Sequence, residues 1–127
     1  MRKVINTPNA PAPIGPYNQA ILSGDTLYLS GQIAMNIETG QLVLDDIKAE
    51  TRQVLENLKA VLNAADMSFE NVVKTTIFIS DMNDFTLINE VYGSYFDDAN
   101  APARETVQVA RLPKDVHVEI SMIAVKS

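Results

Sequence analysis

The chain contains no cysteine. Disulfides, thiolate nucleophiles and cysteine metal sites are therefore excluded. The absence fits a reducing compartment, and a cytoplasmic location is expected. No apolar run reaches about 18 residues, so no membrane span is expected. Arg2 and Lys3 are not followed by an apolar block, so the start does not read as a secretion signal. There are no repeats, low-complexity stretches or linkers, and only one histidine, His117. Basic side chains are also in short supply: 10 against 16 acidic ones, a net charge of −6. Such a molecule repels phosphate backbones on average, which disfavours nucleic acid as a partner.

What is present suits one ordinary globular domain over residues 1–127, with 46% apolar and 20% charged residues. Lys3 to Ile5 reads as a short edge strand. Pro8, Pro11, Pro13 and Pro16 then forbid a helix or a central strand and predict an extended surface segment ending at Gly15-Pro16-Tyr17. Asn18–Leu22 and Thr26–Ile33 are strand-like, joined by a turn at Ser23-Gly24-Asp25. Gly31 interrupts the second strand and reads as a bulge or packing glycine more simply than as a ligand contact.

From about Asp46 to Ala65 the period is helical. Ile47, Val54, Leu55, Leu58, Val61, Leu62 and Ala65 form one stripe, with Lys48, Glu50, Arg52, Glu56 and Lys59 placed elsewhere. Asp45 and Asp46 suit its N-terminus better than a metal site, because no third ligand lies at a useful spacing. Val72–Ser80 is rich in β-branched residues and suits a central strand. Asn83–Phe96 reads as a second helix, capped by Asn83 or Asp84, with Phe85, Ile88, Val91, Tyr92, Tyr95 and Phe96 on one side. The order β-β-β-α-β-α-β-β predicts an α+β two-layer sandwich with one sheet face left uncovered and available for self-association.

The last two runs, Ala101–Val109 and Val116–Val125, flank a loop holding Pro113 and Asp115 and read as a hairpin. If Val109 and Val116 close it, Thr106 faces Glu119 and Arg104 faces Ser121. Arg104, Thr106, His117, Glu119 and Ser121 then share one face, with Arg104 and Glu119 diagonal at about 7–8 Å. That spacing would hold a small anionic molecule. On these residues alone, an ion pair between Arg104 and Glu119 is the plainer reading. Arg111 and Lys114 read as loop charges or interface contacts, and His117 as an exposed bystander.

Taken together, Ile14-Gly15-Pro16-Tyr17, Ser30-Gly31-Gln32-Ile33, Val73-Lys74-Thr75-Thr76, Asp81-Met82-Asn83-Asp84-Phe85, Ile88-Asn89, Pro102-Ala103-Arg104, Val109 to Lys114 and Val118-Glu119-Ile120 resemble the Rid (YjgF-like) family and its RidA subgroup of enamine/imine deaminases. The resemblance spans nearly the whole chain. It implies a chorismate-mutase-like fold and a barrel-like homotrimer with clefts between subunits. The activity implied is cofactor-independent hydrolysis of 2-iminopropanoate and 2-iminobutanoate to 2-oxo acids and ammonia, with no metal. It implies that Arg104 clamps the substrate carboxylate and that Glu119 activates water. Tyr17, Ser30, Gly31, Asn89 and Thr106 would line the cleft, Thr106 standing where the family often has cysteine.

The chemistry is consistent with those residue types. A guanidinium holds a carboxylate through two parallel hydrogen bonds. The adjacent imine carbon is already electrophilic, so hydrolysis needs only an oriented water and a group that moves protons. A carboxylate does this, for a gain of about 10²–10⁴-fold. Two rival readings are a 2-oxo-acid-binding regulatory module without turnover and an endoribonuclease. The acidic balance and the lack of an aromatic–basic stripe weigh against the latter.

Overall fold

The computed structural model describes residues 2–127. Six strands form one mixed sheet: β1 (Arg2–Ile5), β2 (Ala20–Ser23), β3 (Thr26–Gln32), β4 (Val72–Ile79), β5 (Ala103–Gln108) and β6 (Val118–Val125). Two helices, α1 (Ile47–Ala64) and α2 (Phe85–Gly93), follow β3 and β4. The order along the chain is the expected β-β-β-α-β-α-β-β, and the class is α+β.

Both helices pack on one sheet face. Leu55, Leu58 and Leu62 of α1 meet Leu27 and Leu29 of β3, Ile77 and Ile79 of β4 and Ile120 of β6, all at 5% exposure or less. Each such side chain contributes about 1.5–3 kcal/mol of burial. Asp46 caps α1 as expected, its carboxylate accepting from the Ala49 N–H at 2.8 Å. The second helix is shorter than its pattern suggests. A 3-10 turn over Met82–Asp84, capped by Asp81, precedes it, and Asp84 stands at the helix N-cap as expected but its side chain makes no capping hydrogen bond. Tyr95 and Phe96 lie beyond the helix yet still pack edge-on against Phe69, at 5.4 and 5.2 Å between ring centres.

The proline-rich segment runs extended over the surface, and one side chain ties it down. Gln19 is 2% exposed. Its amide donates to the carbonyls of Thr7, Ala10 and Pro11 while its oxygen accepts from the Thr7 N–H.

The strand order is β1-β2-β3-β6-β4-β5. This corrects the expected hairpin: β5 and β6 are not neighbours. β5 pairs parallel with β4, Arg104 beside Thr75 and Val107 beside Phe78. β6 enters between β3 and β4, with Glu119 beside Phe78 and Met122 beside both Thr75 and Leu29. The physical reason lies in β4. Its alternating Thr75, Ile77 and Ile79 are fully buried, and such a strand needs partners on both edges. The connecting loop steps over its end, with Val109 N–H donating to Ile79 on one side and Ser80 N–H to His117 on the other.

Among the described residues no helix is long and apolar enough to cross a membrane. The sheet face away from the helices carries Tyr28, Phe78, Val107, Glu119, Ser121 and Ile123, none of them buried.

Candidate functional site

Paired residues on neighbouring strands point to the same face. Arg104 lies in the row of Thr75 and Met122, both buried against the helices, whereas Glu119 lies in the row of Phe78 and Val107 on the open face. The two groups therefore sit on opposite faces of the sheet. They are also two strands and three residues apart, about 14 Å between backbone positions. A three- or four-carbon acid cannot reach both within one chain, and the expected shared face is corrected accordingly.

Instead the structure gathers the predicted residues into two groups. The first surrounds Arg104. Its guanidinium lies 5.0 Å from the centre of the Tyr92 ring and 5.7 Å from that of Phe85, and Nη1 donates to Asn89 Oδ1 at 2.7 Å. Aromatic faces attract the cation and hold the fork in place. No carboxylate pairs with it among the described residues, so its remaining donors are available to an anion. Thr106 follows on the same face of β5, and its hydroxyl is buried with no hydrogen-bond partner.

The second group surrounds Glu119. Pairing of β3 with β6 shifts register between Leu29 and Gln32, so Ser30 and Gly31 form an irregularity in the strand. The Glu119 side chain occupies the space that a Cβ on Gly31 would need, with its Cδ 3.0 Å from that position. Any larger residue would push the carboxylate away. The glycine thus serves both packing and the candidate site. Ser30 Oγ donates to the Asn18 carbonyl at 2.6 Å, which fixes the bulge to the preceding strand. Tyr17 is half-exposed and lines a small cavity together with Gly31. Glu119 makes no side-chain hydrogen bond or ion pair among the described residues, and burial pushes its pKa above the ordinary carboxylate value. A carboxylate so placed is a better proton acceptor than one in water.

The pattern of charges concealed one site neighbour. Glu50, read as lying off the apolar stripe of α1, is fully buried. Its carboxylate accepts from the backbone N–H groups of His117 and Val118 at 2.7 and 3.2 Å, and lies 2.7 Å from His117 Nδ1. His117 is exposed, as expected, and its ring is tethered to Glu50. The signal was spacing: Glu50 falls three residues after Ile47 and four before Val54, inside the stripe. Among the described residues no three His, Asp or Glu side chains gather to hold a metal.

The sequence profile described as Endoribonuclease L-PSP matches residues 7–126. A RutC family protein of Pyrococcus horikoshii is 55% identical over 99% of both chains. The rat protein named 2-iminobutanoate/2-iminopropanoate deaminase is 51% identical, covering 99% of this chain and 91% of its own. The crystal structure of Escherichia coli TdcF with bound serine superposes with a TM-score of 0.92 at 48% identity, over 98% of this chain and 99% of that one.

Proposed function

Because this chain belongs to the endoribonuclease L-PSP family, which is the Rid or YjgF-like family, we propose that it hydrolyses 2-imino acids such as 2-iminopropanoate and 2-iminobutanoate to 2-oxo acids and ammonia. The observation that carries the reading is the pair of complementary half-sites. Among the described residues, an aromatic-braced guanidinium without a carboxylate stands on one sheet face, and a half-buried carboxylate without a cation stands on the other. The deaminase name carried by relatives at about half identity supports it.

In this reading the guanidinium of Arg104, aligned by Asn89, takes the substrate carboxylate. Glu119 takes a proton from water as its oxygen attacks the imine carbon. It passes that proton to the imine nitrogen, giving a carbinolamine, then takes the hydroxyl proton and delivers it to the amino nitrogen as the carbonyl forms, the C–N bond breaks and ammonia leaves. The chemistry needs water alone as co-reactant. Tyr17, Ser30 and Gly31 wall the Glu119 side, and Thr106 lies beside the anchor. Since one chain keeps the halves apart, the working cleft forms between copies, Arg104 of one facing Glu119 of the next. Such a head-to-tail contact closes into a ring, and the homotrimer of the resembling family is the ring we propose.

The test supplies iminopropanoate from a serine dehydratase and reads pyruvate formation with and without the protein. Acceleration is expected, with Arg104→Ala and Glu119→Gln each losing about 10²-fold or more in kcat/KM. Tight 2-oxobutanoate binding with no acceleration would replace this reading with a binding module.

A further inference from the structure

The loop between β5 and β6 carries a cation that this mechanism leaves unused. Lys114 and Asp115 both have positive φ, 55° and 56°, a region that side chains other than glycine adopt reluctantly. Neighbours hold them there. Arg111 Nε and Nη2 donate to the Asp115 carboxylate at 2.6 and 3.2 Å, and Leu112 and Val116 on either side are buried. Lys114 lines the same small cavity as Tyr17 and Gly31, whose remaining wall includes Ile14, Ile33 and Met35. Lys114 has no ion pair among the described residues. Gly31 is common to both environments, touching the Glu119 side chain while lining the cavity.

We propose that this cavity is the subsite for the substrate's side chain and that Lys114 selects side chains ending in a carboxylate. The inference rests on the reading of Tyr17, Gly31 and Glu119 as one half of an imine-hydrolysing cleft, and adds a substrate class: dicarboxylic 2-imino acids. The cavity measures about 60 Å³, the liquid-state volume of about two waters. A two-methylene side chain ending in a carboxylate can place that carboxylate in this space. Its methylenes meet Ile14, Ile33 and Met35, and its carboxylate meets the ammonium in a charge-assisted contact. Glu119 alone would repel a second anion so close by. Lys114 offsets that repulsion, as Arg104 does for the carboxylate next to the imine. Water again adds across C=N, and the products are a 2-oxo dicarboxylate and ammonia.

The experiment uses the whole protein with two imines made in situ by oxidases, one from glutamate and one from alanine. Imine that escapes hydrolysis is trapped with semicarbazide. Lys114→Asn removes the charge with a residue that tolerates positive φ, Lys114→Met repeats the removal, and Lys114→Arg keeps the charge. The ratio of kcat/KM for the glutamate-derived imine to that for the alanine-derived imine should fall about tenfold or more in the two neutral variants and recover in Lys114→Arg. An unchanged ratio in both neutral variants overturns the role of Lys114. Wild-type protein that accelerates only the alanine-derived imine overturns the substrate class while leaving the parent reading intact. Acceleration of neither imine defeats the parent reading, and this inference with it.

Discussion

At the scale of single residues, Glu119 stands out as a lone carboxylate whose burial favours its protonated form. Glu119 has Gly31 against it, no cation among the described residues, and enough burial to raise its pKa. The folded chain therefore holds this proton to higher pH than the unfolded chain does. The associated stability is complete at low pH and is lost as pH rises above the ordinary carboxylate range. Glu119→Gln carries no charge at any pH. It should melt at a higher temperature than the parent at pH 7, and the gain should vanish near pH 4, where both side chains are neutral. Thermal melts at the two pH values check this, and a gain of equal size at both would remove burial as the cause. A side chain that costs stability at a proposed catalytic position is the usual trade between stability and activity. Thr106 is the other residue of note. Its buried hydroxyl without a partner carries a desolvation cost beside the proposed anchor.

At the scale of elements, the start of β6 is controlled from across the core. Glu50 on α1 binds the amides of His117 and Val118, so helix and strand are locked in one relative position two residues before Glu119. Glu50→Ala would leave those amides and the imidazole without their acceptor. We expect it to cost about 2–4 kcal/mol in urea unfolding at fixed protein concentration. Lys59→Ala, on an exposed position of the same helix, should stay within about 0.5 kcal/mol. Equal losses in the two variants would show that the Glu50 contacts contribute nothing. The β4–α2–β5 unit has a matching task, because α2 supplies the rings and the amide oxygen that hold Arg104.

At the scale of the whole molecule, one chain carries the two proposed halves of a site on opposite sheet faces. This arrangement predicts complementation. Arg104→Ala and Glu119→Gln proteins, each inactive alone, should regain activity when unfolded together and refolded. Random mixing in a closed ring leaves about one quarter of the clefts with both groups intact. Activity near that fraction of wild type, from a species sized as a trimer by light scattering, is the expected result. No recovery despite mixed assembly would place the two groups in separate functions. The open face, with Tyr28, Phe78, Val107 and Ile123 uncovered, offers the apolar area such a contact needs.

Sequence alone determined the elements, because the 3.6-residue and 2-residue periods of α1, β3 and β4 report burial directly. Its ordered motifs around Tyr17, Ser30, Arg104 and Glu119 also pointed to the side chains proposed to act. Strand neighbours were another matter. Two β-branched runs joined by a loop suit a hairpin as well as they suit two strands separated by a third, and the intrinsic preference is the same in both. Only packing decided between them: β4 needed partners on both edges, and β6 filled the gap beside β3. A change of neighbour alters which residues share a face. That is why Arg104 and Glu119, diagonal neighbours in a hairpin, stand on opposite sides of the folded sheet. Glu50, read as lying off the apolar stripe of α1, lies in the core because the His117 and Val118 amides and the imidazole pair with its carboxylate.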